Sequence, residues 1–186
     1  PESVPIVNVP FTAPLAPDFR NEITIARYSE LLNRADLSAD QQAKLYYDRG
    51  VLFDSLGMST LARIDFNRAI KLKPDLAEVY NFLGIHHTLM QQYEQAYEFF
   101  DSALELNEQH EYAYLNRGIA LYYGDRPSLA QDDLQQFLNR SPSDPYRVLW
   151  LYLAQSEADK AQAIVDLKAN SQGVDDSQWG YQLLAL

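Results

Sequence analysis

The chain contains no cysteine. Disulfides, thiol nucleophiles and Cys-ligated zinc are therefore excluded across its 186 residues. Cations are scarce too. Fifteen Lys and Arg stand against 26 Asp and Glu, a formal net charge of −11, and Lys71-Leu-Lys73 is the nearest approach to a basic cluster. Such a surface repels nucleic acid and anionic lipid. Long apolar runs are missing: the longest, Val148 to Ala154, has seven residues, where a membrane-spanning helix needs ~20. No Gly-rich phosphate loop and no nucleophile elbow occurs. The histidines are His86, His87 and His110. Neighbours on a helix point about 100° apart, so His86 and His87 cannot share one metal ion. The sequence thus offers no catalytic motif, and no metal or cofactor site is expected. Its apolar fraction of 47% nevertheless requires a folded body.

Glycine is also sparse, and its placement is informative. Of seven glycines, Gly50, Gly84 and Gly118 fall on one 34-residue ruler. Tyr46, Tyr80 and Tyr114 share that spacing, as do Ala62, Ala96 and Ala130. A fixed period of this size marks a stacked repeat architecture, which buries its apolar faces only between neighbours. The unit resembles the tetratricopeptide repeat, a pair of antiparallel helices. The first copy matches at Tyr46, Gly50, Phe53, Ala62, Phe66, Ala69 and Pro74. The second matches at Tyr80, Leu83, Gly84, Ala96, Phe100 and Ala103, and the third at Tyr114, Gly118, Leu121, Ala130, Leu134 and Pro142. Arg49 and Arg117 replace the usual Leu, and His87 stands at a packing position, where burial is expected. The glycines lie mid-helix, where each costs about 1 kcal/mol relative to Ala. A close helix contact offsets that cost, with Ala62, Ala96 and Ala130 expected opposite.

Local signals agree. Ser38-Ala-Asp-Gln41 reads as a capping box. Gly57 ends the helix that follows, and Ser59 or Thr60 starts the next. Pro127 suits a first helical turn, while Pro74 and Pro142 stop helices. The expected fold is an all-α solenoid of three such helix pairs with flanking helices. Residues 1–17 hold five of the nine prolines and read as an extended arm. Residues 18–37 form a capping helix opened by Asp18 or Asn21, with Ile23, Ile25, Tyr28, Leu31 and Leu32 turned inward. Residues 38–142 are the three repeats. Residues 143–186 are non-consensus helices, one starting at Asp144-Pro145 and a shorter one near Lys160 to Asn170. Tyr152 takes the glycine place there, and the chain closes on an apolar segment from Trp179 to Leu186.

Longer stretches are similar to the NlpI family of bacterial outer-membrane lipoproteins: YYDRGVLFDSLG (Tyr46 to Gly57), YLNRGIALYYG (Tyr114 to Gly124) with LAQDDL after it, DPYRVLWLYLA (Asp144 to Ala154) and QWG at Gln178 to Gly180. The resemblance implies a non-catalytic adaptor on the periplasmic face of the outer membrane. Its protein partners would be peptidoglycan hydrolases and a processing protease, and it would form a homodimer. It also implies a signal peptide and lipidated Cys ahead of Pro1 and further chain after Leu186, so that these residues are a soluble fragment. The repeat family places its binding groove on the first helix of each pair. Counted here, the groove holds Tyr47, Val51 and Asp54 with Lys44 and Ser55; Asn81, Ile85 and Leu89 with Glu78 and Thr88; and Tyr112, Leu115, Ile119, Tyr122 and Tyr123. It grows aromatic toward the third repeat. Either a partner or an extra helix or second subunit covers that end. A Lys/Asn clamp for a peptide C-terminus is not expected, since Tyr47, Val51, Phe82 and Tyr112 occupy its places and Asn116 alone matches. Two alternatives stay open: a generic cytosolic repeat scaffold, and a hydrolase using carboxylate pairs such as Asp132-Asp133 or Asp175-Asp176. The hydrolase requires acidic pairs to converge in a pocket.

Overall fold

A computed structural model of the protein describes residues 19–175 and residue 177. The proline-rich arm, Asp18, Asp176 and the segment around Trp179 lie outside the described residues. Among the described residues there are nine helices and no strand: α1 (Phe19–Leu32), α2 (Ala39–Ser55), α3 (Ser59–Leu72), α4 (Ala77–Leu89), α5 (Tyr93–Leu106), α6 (Glu111–Tyr123), α7 (Pro127–Arg140), α8 (Pro145–Ala158) and α9 (Lys160–Ser171). Helices α3, α5 and α7 start at residues 59, 93 and 127, and α4, α6 and α8 start at 77, 111 and 145. Each helix packs on the next along the chain, and α4 also meets α6. The first helices of successive pairs thus form one layer and the second helices another.

The boundaries follow from side chains at the helix ends. Ser38 Oγ accepts from the Gln41 amide at 3.2 Å, and Gln41 Oε1 accepts from the Ser38 amide at 2.8 Å, completing the capping box. Gly57, with φ +74°, makes the left-handed turn after α2. Ser59 does not cap α3; Met58 holds the N-cap position and contributes only its backbone carbonyl. Pro127 and Pro145 sit in first turns, and Asp144 and Asp159 cap α8 and α9 by accepting backbone N–H groups. His110, given no role by the sequence, caps α6 through its Nδ1.

The glycine ruler is explained by large side chains, two of them rings, rather than by alanines. A methyl group at Gly84 would lie 2.5 Å from a Phe100 ring carbon; at Gly50 it would lie 2.8 Å from Phe66, and at Gly118 2.8 Å from Leu134. The missing side chain therefore makes room for the large residue four positions after the expected alanine. Ala62, Ala96 and Ala130 are fully buried beside it. The fourth pair, α8 with α9, continues the stack although Tyr152 takes the glycine place. Its fully buried small residues are Ala154 and Ala163, and α9 starts one residue ahead of the ruler.

The two arginines in the usual Leu position are also explained. Arg49 makes two hydrogen bonds to the Asp65 carboxylate, at 2.6 and 2.8 Å, and Arg117 makes two to Asp133, at 2.7 and 2.8 Å. Each uses its remaining nitrogen on the preceding element: Arg49 reaches Ser29 of α1, and Arg117 reaches Asp101 of α5. Those bonds hold Arg117 well above the usual arginine pKa, so it stays charged. The second repeat carries Leu83 and Phe99 at the equivalent places. Arg147, buried on α8, bonds Glu111 of α6 and the Phe137 carbonyl of α7 and lies over the Phe137 ring. Helix α1 is held less firmly. It has no fully buried residue, and Ile23, expected to face inward, is exposed with Phe19. Its contact with α2 includes the bond from Arg49 to Ser29 and a depression that Tyr28 shares with Tyr47 and Asp48.

These contacts set the cost of substitutions. Gly84→Leu should cost about 3 kcal/mol or more, a fall in Tm of about 6 °C or more, because Phe100 cannot move away without opening the core. Gly173→Ala, with nothing within 4 Å of the added methyl, should stay within about 0.5 kcal/mol of the parent. Asp133→Ala should cost about 2–3 kcal/mol in urea unfolding. That is less than for a fully buried pair, because Arg117 is partly exposed and keeps Asp101. Replacing both partners, Arg117→Leu with Asp133→Phe, should recover most of the loss, as the second repeat's Leu83 and Phe99 already show to be compatible with the stack.

Candidate protein-binding face

The layer of first helices, α2, α4, α6 and α8, carries every groove residue expected from the sequence. Besides the Arg147–Glu111 bond, four side-chain ties link neighbours in this layer. His86 Nε2 lies 2.5 Å from Asp54 Oδ1, His110 Nε2 lies 2.6 Å from Glu78 Oε2, Asn116 donates to Asn81 at 3.1 Å, and the Tyr122 hydroxyl donates to Glu157 at 3.4 Å. Each spans roughly one repeat, so the ties fix the spacing of the face as well as its chemistry.

These ties divide the expected groove residues into floor and rim. Asn81 and Leu115 are 4% and 7% exposed. They pack between helices and offer almost no surface. Asp54 is engaged with His86. Tyr47, Val51, Ile85, Ile119 and Tyr122 are half-buried. Leu89, Tyr112 and Tyr123 stand out at 76%, 53% and 60% exposure. His86 is the buried histidine, at 2% exposure. His87, expected to be buried, instead lies part-exposed against Phe99 and Gln92. One residue of helical advance turns a side chain by about 100°, and Asp54 on α2 faces the former position.

The two ends of the face differ. At the α2 end, Tyr47 is a shared wall of three depressions. One, of about 450 Å³, includes Lys44, Lys73 and Leu76; another, of about 380 Å³, includes Thr24, Tyr28 and Val51; the third, of about 230 Å³, includes Asp75 and Glu78. Burial, with help from Glu78 and Asp48, pushes the Tyr47 hydroxyl above the usual tyrosine pKa. At the other end Tyr123, Tyr122, Trp150 and Tyr146 form a continuous string of rings. Successive centroids are 5.3, 6.4 and 6.3 Å apart with interplanar angles of 81°, 80° and 83°. Trp150 and Tyr146, on α8, were missing from the sequence reading. Tyr146 stands one ruler step after Tyr112, so carrying the register past the third repeat would have found it.

Acidic residues do meet in one cleft of about 300 Å³, where Asp101, Asp132 and Asp133 line a space with Arg117 and Arg126 on the side of α5 and α7. Their arrangement is that of ion pairing. Asp133 and Asp101 both bond Arg117, and Arg126 is bonded to Glu94. A carboxylate pair working as acid and base needs its oxygens open to substrate and differently tuned. Here arginine already takes the bonds. Among the described residues, no three His, Asp or Glu side chains group to hold a metal ion, and no helix is long and apolar enough to cross a membrane.

Comparison with known proteins bears on the fold. Residues 43–76 and 77–110 each match the tetratricopeptide repeat. The expected third repeat lies outside that match, although α6 and α7 continue the register. The chain is similar to the crystal structure of MamA, with a TM-score of 0.71 at 18% identity over 80% of this chain and 85% of that one. It is similar to YrrB, described as a tetratricopeptide-repeat protein with an unusual peptide-binding site, with a TM-score of 0.68 at 17% identity over 84% and 81%. It is also similar to the first such domain of Spaghetti (RPAP3), bound to the HSP90 peptide SRMEEVD, with a TM-score of 0.60 at 18% identity over 64% and 96%. The ruler, the helix register, the two matched segments and these neighbours agree: residues 43–110 are tetratricopeptide repeats, set within an all-α solenoid.

Proposed function

We propose that the protein is a non-catalytic adaptor that holds other proteins on the face built by α2, α4, α6 and α8. The observation that carries this reading is the contrast within that face. Its floor is locked by Asp54–His86 and Asn81–Asn116, while its rim exposes Leu89, Tyr112 and Tyr123. Large aromatics on a rigid floor lose little entropy on binding and contribute much of the energy at protein interfaces. The peptide-bound Spaghetti domain, and YrrB with its described peptide-binding site, share the fold. A clamp for an acidic peptide C-terminus is not part of the proposal, because Asn116 is already bonded to Asn81 and a chain of charge −11 repels such peptides.

The finer reading rests on the resemblance to the NlpI lipoproteins over Tyr46 to Gly57, Tyr114 to Gly124 and Asp144 to Ala154. On that basis we place the adaptor in the bacterial cell envelope, lipid-anchored on the periplasmic face of the outer membrane. There it presents peptidoglycan hydrolases to a processing protease, as a homodimer. The groove residues named from the sequence divide in this proposal: Asp54, Asn81 and Leu115 shape the floor, and the others form the contact surface.

Tyr122→Ser with Tyr123→Ser tests the surface. The double variant should keep its circular dichroism spectrum, since Tyr123 is exposed and Tyr122 half-buried. Capture of a purified envelope hydrolase should fall by about tenfold or more. Unchanged capture by a well-folded double variant rules out this face.

A further inference from the structure

This chain repeatedly holds an arginine twice, by a carboxylate and by an aromatic ring. Arg49 bonds Asp65 and lies over Tyr46, and Arg117 bonds Asp133 and lies over Tyr114. Arg126 bonds Glu94 and lies over Tyr97, and Arg147 bonds Glu111 and lies over Phe137. The two grips are compatible because the guanidinium is planar. Its N–H groups donate outward in the plane, while the negative face of a ring attracts the charge from above.

One corner of the first-helix face has the rings and the carboxylate without the arginine. Tyr122 stands nearly perpendicular to Tyr123 and to Trp150, with centroids 5.3 and 6.4 Å away. Its hydroxyl donates to Glu157 Oε1 at 3.4 Å. Among the described residues no cation lies over these three rings, and Glu157 has no ion pair, Lys160 at the start of α9 included. Tyr123 and Glu157 are exposed, so the corner is open. Its potential is negative for two further reasons. Helices α6 and α8 both end here, and neither has a basic residue in its last turn to offset its C-terminal carbonyls. Burial, and then the Glu157 charge, raise the Tyr122 hydroxyl above the usual tyrosine pKa. Helices α4, α6 and α8 carry no lysine, and their two arginines, Arg117 and Arg147, are already bonded to carboxylates.

We propose that the corner built by Tyr122, Tyr123, Trp150 and Glu157 receives an arginine side chain of the bound protein, its guanidinium lying on the rings and donating to the Glu157 carboxylate. The partner segment that reaches this end of the face is therefore cationic, the sign that a chain of charge −11 attracts. The proposal deepens the adaptor reading and rests on it for the partner, but the corner is testable without one.

The full chain is titrated with the peptide acetyl-Gly-Leu-Arg-Leu-Gly-amide while the indole N–H resonance of Trp150 is followed by NMR. Trp179→Phe tells that resonance from the only other tryptophan. The Trp150 signal should shift and saturate. A peptide with citrulline, the uncharged analogue of arginine, should bind about tenfold more weakly. Glu157→Gln, which keeps an oxygen for the Tyr122 hydroxyl, should weaken the arginine peptide about threefold and leave the citrulline peptide unchanged. Circular dichroism checks that this variant is folded. A silent Trp150 signal, equal binding of the arginine and citrulline peptides, or a folded Glu157→Gln variant that binds arginine as the parent does would each overturn the proposal. A lysine peptide that binds as tightly as the arginine peptide would overturn the assignment to arginine. Hydrolase capture is scored separately. Capture that survives Tyr122→Ser with Tyr123→Ser, beside intact arginine selectivity in the parent, counts against the adaptor reading alone. Lost selectivity beside capture that depends on those tyrosines counts against the arginine site alone.

Discussion

Within each repeat, everything depends on how closely a side chain from the second helix can approach the backbone of the first. Phe66, Phe100 and Leu134 lie where a glycine side chain would otherwise be. A mid-helix glycine costs about 1 kcal/mol against alanine, and burying a large apolar side chain recovers about 1.5–3 kcal/mol. The balance favours glycine only while the large side chain is in place, so glycine and a large apolar residue recur together on the ruler. The first-helix layer inherits its spacing from this contact. Asp54 can reach His86, and Asn81 can reach Asn116, only because successive pairs are set at a constant offset.

Much of this was legible in the residues. The triple ruler fixed the helix pairs, and the capping box, Pro127, Asp144-Pro145 and Gly57 gave the ends. What the ruler could not give was the partner of each special residue. The alanines were expected opposite the glycines, but the large residue one turn further on takes that place, because long side chains reach back along a helix where alanine cannot. Arg49 and Arg117 read as departures from the repeat. They are one half of a coupled substitution whose other half, Asp65 and Asp133, lies 16 residues away. The Leu83 and Phe99 pair of the second repeat was the available clue.

The face was legible in outline and less so in detail. A positional rule names residues by helical phase, yet phase alone does not say how near the adjacent helix stands. Tyr47, Asn81 and Leu115 hold the same repeat position. Tyr47 lines open depressions beside α1, whereas Asn81 and Leu115 are closed in by the next helices. His86 rather than His87 is buried for a similar reason: burial of a polar ring is settled by where a partner such as Asp54 stands. Trp150 and Tyr146 were missed because the consensus ends before α8 although the register does not.

The central claim is that partners contact the first-helix face and not the second-helix face. Site-specific photocrosslinking separates the two most directly. A photoreactive phenylalanine would replace either Tyr123, on the rim of α6, or Leu129, exposed on α7, in the presence of a captured envelope protein. Adducts from position 123, with none from position 129, are the predicted result. Adducts from position 129 alone would contradict the account.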